Sequence, residues 1–157
     1  MPRLVLIPGL AADAVMWQAQ LAALPAQHDP HVTDVHKRHD TIEAMAHALL
    51  AENTGEMVLC GASMGGIVAM EAVRQAPDRI RGLALLGTNA RPESDDIRQL
   101  REAAIVFFEQ GRASEVLRAN LPLAFHASRV RDTTLTQIYL DFVLAAGAGQ
   151  LVRQNRA

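Results

Sequence analysis

Gly61-Ala62-Ser63-Met64-Gly65 is the most informative motif in this chain. It follows the apolar run 57–60, which predicts a short buried strand, and it opens a segment rich in small residues that predicts a helix over 65–75. A strand, a tight turn and a helix in this order form the context that a G-x-S-x-G nucleophile elbow requires. The stretch therefore predicts that Ser63 is a catalytic nucleophile.

The residues around this serine suit the chemistry of an attacking hydroxyl. Gly61 and Gly65 flank the turn, because side chains at these positions would collide with neighbouring backbone. Backbone N–H groups stabilise the oxyanion that forms when a serine attacks a carbonyl carbon. We expect one such donor from Met64 and a second from Leu10, in the glycine loop 8–12 after the first predicted strand. The positive end of the helix adds a field that favours negative charge.

Apolar runs and helical patterns alternate through the first 90 residues. The predicted strands cover 4–7, 31–35, 57–60 and 83–86, and the predicted helices cover 15–24, 41–50 and 65–75. Asp13 is the expected cap of the first helix, and Asp40 with Glu43 forms an expected capping box for the second. The alternation predicts parallel βαβ units with helices on both faces of one sheet.

The second part of the chain has a different character. The polar stretch 91–96 predicts a joint, and we place a boundary between a core, residues 1–90, and a helical region, residues 91–157. A short helix is expected over 116–121. Two helical stripes predict packing surfaces of a helical lobe, and they comprise Ile97, Leu100, Ala104, Ile105 and Phe108, then Leu135, Ile138, Tyr139, Phe142 and Val143.

Composition restricts the class of protein. With 157 residues, of which 50% are apolar and 20% charged, the chain has the length and composition of one ordinary globular domain. A formal net charge of −2 and a pI of about 6.3 predict neither nucleic acid nor an anionic membrane surface as a partner. The run 4–7 is too short for a signal peptide and no later run could span a bilayer. We therefore expect a soluble, cytoplasmic protein, and no cofactor.

These motifs resemble the N-terminal half of an α/β-hydrolase-fold enzyme. The resemblance covers nearly the whole chain, and the residues that carry it are 4–10, Trp17, Gln20, Leu21, 61–66 and 76–86. It implies an α/β fold with an α/β-hydrolase-type parallel sheet of about four strands, without the C-terminal strands, with helices on both faces and a helical cap. The serine at the nucleophile position disfavours the haloalkane dehalogenase and epoxide hydrolase branches of this superfamily.

The resemblance also implies an activity. It predicts a serine hydrolase that cleaves carboxylic esters of small molecules, and the apolar side chains of the helical region predict an apolar acyl or alcohol group. It places the triad acid and histidine after later core strands, beyond Ala157. This chain ends inside the cap, so we expect it to be part of a longer reading frame. The alternative is a catalytically inactive fragment or ligand-binding protein that keeps the hydrolase pocket. Because the strand that would pair with it is absent, the strand 83–86 is expected at an open sheet edge. This predicts poor solubility or self-association.

Residues within the chain offer alternatives for the missing triad members. His39 follows the second predicted strand at the same sheet edge as Ser63, and His126 in the helical region could overhang the pocket; geometry has to decide both. His47 is expected on a helix surface. Asp95 or Asp96 could serve as the acid, although with Ser94 they are better explained as the start and cap of a helix.

Two H-x-x-H pairs and one cysteine are the remaining chemical candidates. The pairs His28/His31 and His36/His39 are predicted to lie in loops, without a set of cysteines and without the i, i+4 spacing of H-E-x-x-H, so no metal site is expected. Cys60 lies in a run that we expect to be buried. It is therefore predicted to be an inert core thiol.

Overall fold

The computed structural model describes residues 1–157, and at its centre is one sheet of four parallel strands in the order β2-β1-β3-β4. The strands are β1 Arg3–Ile7, β2 His31–Val32, β3 Met57–Ala62 and β4 Ile80–Leu86. The helices are α1 Gln18–Ala23, α2 Val35–Arg38, α3 Ile42–Glu52, α4 Met64–Gln75, α5 Asp95–Glu109, α6 Ala113–Ala124, α7 Thr133–Ala145 and α8 Gly147–Arg156. The predicted α/β class with a parallel sheet is confirmed.

Side chains of β1 point alternately to the two faces of the sheet, and apolar residues cover both faces. Val5 and Ile7 are fully buried in a core that includes residues of α3, α4 and β3. Leu4 and Leu6 belong to a second cluster, which contains Trp17 from the turn before α1. Helices therefore lie on both faces, as predicted. The strand is apolar at every central position because neither face is left to solvent.

The second strand is shorter than predicted, because the chain turns directly after it. β2 pairs with β1 only through His31 and Val32. The Thr33 hydroxyl then accepts the N–H of Val35 at 3.4 Å, which starts a turn in place of a further extended residue. Val35 is the first residue of α2, so the prediction of a strand to residue 35 is wrong, and α2 was not predicted.

The first two predicted helices of the core begin differently from the prediction. The predicted helix 15–24 is a 3₁₀ turn, Ala14–Trp17, followed by α1; Asp13 caps the turn by accepting the Val15 N–H at 2.8 Å. α3 begins with a Thr41 cap, whose hydroxyl accepts the Ala44 N–H at 3.1 Å. The predicted capping box of Asp40 and Glu43 is therefore wrong, since the residue directly before the helix supplies the cap.

Strand β4 forms one edge of the sheet and pairs only with β3. Its second half is apolar and exposed: Leu83, Leu85 and Leu86 each leave more than 40% of their surface accessible. An unpaired row of backbone N–H and C=O groups beside exposed leucines favours pairing with another chain. The open apolar edge expected for this strand is therefore present in the structure.

The chain divides into two compact units, Met1–Arg91 with Arg156–Ala157, and Pro92–Asn155. Within the second unit, α5 is capped by Ser94, whose hydroxyl accepts the Ile97 N–H at 3.4 Å, as expected from the run of polar residues. The predicted packing stripe of α5 is only partly correct. Phe108 is buried, whereas Ile97 and Leu100 are exposed.

The remaining helices of the second unit are longer than the sequence pattern indicated. α6 covers Ala113–Ala124 where 116–121 was predicted. On α7, Val143 is buried as predicted, and Tyr139 makes edge-on ring contacts with Phe125 and Phe142 at centroid distances of 5.4 and 5.5 Å. None of the helices is long and apolar enough to cross a bilayer alone; α7 and α8 reach that length and composition only as a pair bent by 85°.

Candidate active site at the end of strand β3

Ser63 occupies the turn between β3 and α4 in an unusual backbone conformation. Its φ is +51° and its ψ is −119°, whereas residues with a Cβ atom normally avoid positive φ. The turn is held on both sides: the Ser63 N–H donates to Leu86 O at 2.9 Å, and the Ser63 carbonyl accepts the Gly66 N–H at 2.9 Å. The side chain is exposed. A conformation of this kind costs about 1–3 kcal/mol and is typical of functional sites.

Glycines allow the backbone segments around this turn to approach one another. A Cβ on Gly65 would lie closer than 3.0 Å to the carbonyl oxygens of Ile7 and Pro8, at the end of β1. A Cβ on Gly61 would meet the backbone of Gly65 just as closely. Both glycines named from the sequence are thus required by close contacts of main chain. The first turn of α4 can lie against the end of β1 only because these side chains are absent.

The loop after β1 reaches the turn that carries Ser63. A Cβ on Gly9 would lie 3.4 Å from the Cβ of Ser63 and 3.3 Å from the carbonyl oxygen of Ala62. The loop bends sharply, since the Ala12 N–H donates to Gly9 O at 3.1 Å and Ala11 has a φ of +54°. The side chain of Leu10 packs against the core. Leu10 therefore directly follows a residue that lies beside Ser63.

The two amides predicted as oxyanion donors are not used by the regular hydrogen bonds of the fold. Met64 is the first residue of α4, so its N–H has no carbonyl four residues earlier within the helix. The Leu10 N–H is not among the amides that donate to backbone carbonyls. The first turn of α4 contains no acidic residue, so its positive end is not neutralised locally. The surroundings of Ser63 thus favour a negative charge.

No histidine or carboxylate makes a hydrogen bond with Ser63. His126 is exposed and pairs with Ser128, its Nδ1 lying 2.9 Å from the hydroxyl oxygen. His39 ends α2, where its N–H donates to Val35 O. His47 lies on the exposed surface of α3, as expected. The acidic pair Asp95 and Asp96 forms the exposed first turn of α5.

His36 contacts the candidate site in a way that the sequence did not reveal. It lies in α2, is 1% exposed, and its Nε2 is 2.8 Å from the carbonyl oxygen of Ala12, in the loop after β1. In the sequence this residue stands out only as half of an H-x-x-H pair. No local pattern indicates the contact, because 24 residues separate the two partners.

His36 makes the fold less stable at acidic pH. Burial lowers the pKa of the ring below its ordinary value of 6.5, and the bond to Ala12 opposes this effect without cancelling it. The unfolded chain therefore binds this proton more readily than the folded chain. The free energy of unfolding is largest above about pH 6.5 and decreases as the pH falls below that value.

We expect urea denaturation to reveal this loss of stability between about pH 7.5 and about pH 5. The variant His36→Gln, which has no titratable ring, should lose less stability over the same interval. The same replacement at the exposed His47 is the control and should retain the wild-type loss. An equal loss in His36→Gln and in the wild type would contradict the assignment.

The other chemical candidates differ in part from their predicted environments. Cys60 is half-buried, not fully buried as expected, because its side chain lies on the face of β3 that carries the smaller apolar cluster. Burial still raises the pKa of this thiol, which keeps it protonated. The H-x-x-H pairs do not lie in loops throughout, since His31 is in β2 and His36 in α2. No three His, Cys, Asp or Glu side chains form a group that could hold a metal ion.

Comparison with known proteins identifies relatives of this chain. The family model described as serine aminopeptidase, S33, matches residues 23–136. A pimeloyl-[acyl-carrier protein] methyl ester esterase from Aromatoleum aromaticum is 35% identical over 103 residues, which cover 59% of this chain and 41% of the relative. A protein of the same description from Photobacterium profundum is 33% identical over 95 residues, covering 56% and 37%. The matched region thus spans about two fifths of these relatives.

Solved structures resemble the chain over almost its whole length. A thermophilic esterase from Thermogutta terrifontis superposes with a TM-score of 0.82 at 23% identity, covering 99% of this chain and 62% of the esterase. At that identity the likeness establishes the fold alone. The enol-lactonase from Burkholderia xenovorans LB400 superposes with a TM-score of 0.79 at 26% identity, covering 99% and 64%.

Proposed function

Since this chain belongs to the serine aminopeptidase S33 family of α/β hydrolases, we propose that it is a serine hydrolase that cleaves carboxylic esters with Ser63 as the nucleophile. The observation that carries the proposal is the positive φ of Ser63, at an exposed turn between strand and helix. Such strain persists only where the surrounding structure enforces it. Here the hydrogen bonds of Ser63 to Leu86 and Gly66 hold the turn on both sides, and Gly61 and Gly65 allow the close approach of backbone around it.

The proposed reaction uses the backbone on both sides of Ser63. The Oγ atom attacks the carbonyl carbon of the ester while a general base takes the hydroxyl proton, and the carbonyl oxygen becomes an oxyanion. The N–H groups of Leu10 and Met64 are the proposed donors to this oxyanion. The bond from the carbonyl carbon to the alcohol oxygen then breaks as the base gives its proton to that oxygen. Water, losing a proton to the same base, then attacks the acyl carbon, and the carboxylic acid leaves as Ser63 regains its proton. The base and the acid that orients it are not among the groups in contact with Ser63.

The substrate class is proposed from the relatives. The curated relatives are named as methyl ester esterases and a structural relative is an enol-lactonase. Both names describe cleavage of a carboxylic ester bond, whereas the family description refers to an aminopeptidase. We therefore propose a small-molecule ester as substrate. Residues 91–157 are proposed as the cap, and a cytoplasmic location stays a prediction.

Covalent labelling tests the proposal directly. A fluorophosphonate should phosphonylate Ser63, and peptide mass spectrometry should locate the adduct on the peptide that contains residues 61–66. The measurement is made on this chain and on a version extended by the codons that follow Ala157. Labelling of neither form would contradict the enzyme and support a protein that keeps the pocket for ligand binding.

We also propose that a second copy of this chain pairs along the exposed edge of β4. The proposal rests on the open hydrogen-bonding edge of this strand and on the exposed leucines beside it. Two copies of β4 related by a two-fold axis would satisfy each other's backbone groups and bury the leucines.

A charge on this edge should prevent the association. Leu85→Lys is expected to shift the chain from dimer to monomer in sedimentation velocity experiments, because pairing would then bury two ammonium groups. Leu123→Lys is the matched control: it replaces a leucine that is 87% exposed on α6, and it should leave the dimer intact. Equal association of both variants would exclude the β4 edge as the interface.

A further inference from the structure

We infer that His36 is a positioning residue that holds the loop after β1 in the geometry required for the Leu10 N–H to reach the oxyanion. The inference rests on the proposed function, since it assigns to His36 a task within the same site. It concerns the uncharged ring and the backbone of the loop, not a role for His36 as an acid or a base.

The contact between His36 and the loop has one chemical interpretation. Nε2 of His36 lies 2.8 Å from the carbonyl oxygen of Ala12. A carbonyl oxygen only accepts hydrogen bonds, so Nε2 must carry the hydrogen and donate it. Burial lowers the pKa of the ring, and the charged groups acting on it, Asp13, Asp34 and Lys37, do not reverse that direction. The neutral ring therefore has its single hydrogen on Nε2.

The backbone segment that carries His36 is held by the core of the protein. Val35, its neighbour in α2, is fully buried with residues of β1 and α3. Thr33, before α2, donates its N–H to Leu6 O at 3.0 Å and thereby joins this segment to β1. The imidazole thus projects from a rigid support. A hydrogen bond from such a support restricts the partner to which it is made.

The loop between β1 and the turn before α1 has an irregular backbone. It has no helix or strand between Ile7 and Ala14, and its residue Ala11 has the positive φ of a strained position. A cavity of about 290 Å³ lies next to the end of the loop and is lined in part by Asp13, Val32 and His36. The ion pair of Asp13 with Lys37 is long, at 4.0 Å, and partly exposed. The hydrogen bond of His36 acts on Ala12, two residues after Leu10, and we assign to it a restraint on this part of the loop.

A matched pair of variants separates the hydrogen bond from the volume of the ring. In His36→Gln the amide nitrogen lies as many bonds from Cα as Nε2 does and can donate to Ala12 O, whereas His36→Met has similar length and no donor. We expect the amides of residues 9–12 to exchange hydrogen about tenfold faster in His36→Met and within about twofold of the wild type in His36→Gln. Amides of β3 should exchange at the wild-type rate in both. Unchanged exchange in His36→Met, or equal acceleration in both variants, would overturn the inference.

A measurement on the unaltered chain covers the case in which a variant does not fold. The ¹⁵N chemical shifts of the His36 ring at about pH 7.5 should identify a neutral ring with hydrogen on Nε2. A ring with its hydrogen on Nδ1 could not donate to Ala12 O and would refute the inference without any substitution.

Labelling distinguishes failure of this inference from failure of the proposed function. If the wild type reacts with a fluorophosphonate, His36→Met should react about tenfold more slowly and His36→Gln nearly as fast as the wild type. Wild-type rates in both variants would exclude a positioning role while leaving the hydrolase intact. A wild type that reacts in neither this chain nor its extended form, with the exchange pattern as expected, would contradict the hydrolase and support the restraint on the loop.

Discussion

Ser63→Ala is expected to reduce ester hydrolysis by a factor on the order of 10⁶ and to abolish fluorophosphonate labelling. Alanine keeps the oxyanion donors and the pocket but removes the atom that forms the covalent bond to the carbonyl carbon. The fold should persist, because Ser63 is exposed and its side chain makes no hydrogen bond that the turn needs. Hydrolysis of p-nitrophenyl butyrate is measured for wild type and variant, in whichever form of the chain cleaves it.

Ser128→Ala provides the control for this experiment. Ser128 is an exposed serine whose hydroxyl lies 2.9 Å from a histidine nitrogen, yet its backbone φ is not positive and it does not end a strand. Its replacement should leave hydrolysis unchanged, which would separate the geometry at Ser63 from mere proximity of a serine and a histidine. Full activity of Ser63→Ala would exclude Ser63 as the nucleophile.

Gly65→Ala should strongly destabilise the core, with a cost of about 3 kcal/mol or more. The added methyl group would lie closer than 3.0 Å to the carbonyl oxygens of Ile7 and Pro8, which are backbone atoms and cannot rotate away. The melting temperature should fall by roughly 6–12 °C. Any hydrolytic activity should be lost at the same time, because the displaced backbone leads directly into the loop that contains Leu10.

Gly149→Ala is the matched substitution at a helical glycine without these contacts. A Cβ there would meet no atom within 4 Å, and Gly149 lies inside α8. The change should stabilise the chain by up to about 1 kcal/mol, since alanine is the better helix former. Thermal unfolding of both variants tests the argument. Similar melting temperatures for Gly65→Ala and Gly149→Ala would show that the close approach at residue 65 does not limit the fold.

Much of the core could be predicted because its signals are local. The runs at 4–7, 57–60 and 83–86 lie within β1, β3 and β4, and the small residues after Ser63 do begin a long helix. The predicted boundaries of β2 and α3 were wrong where a hydrogen bond to one threonine hydroxyl set the end of a strand or the start of a helix. Thr33 ended β2 early, and Thr41 capped α3 in place of Asp40. Several residues near these positions have similar capping propensity, so propensity alone does not choose between them.

Exposure was the least predictable property. The stripe on α5 has regular helical spacing, but Ile97 and Leu100 are exposed. Cys60 is only half-buried although its neighbour Leu59 is fully buried. Periodicity states which residues share a face of a helix or strand, and it does not state whether another element covers that face.

The strand, the glycine-flanked turn and the helix around Ser63 could be predicted from the amino-acid sequence, since they depend on residues that are neighbours along the chain. Three contacts became visible only in the folded chain: Gly65 lies against the end of β1, the Gly9 loop reaches Ser63, and His36 holds this loop through Ala12. Each of these contacts joins segments more than 20 residues apart. Their distances follow from parallel pairing of β1 with its neighbours β2 and β3, which brings the carboxyl ends of separate strands to one edge of the sheet.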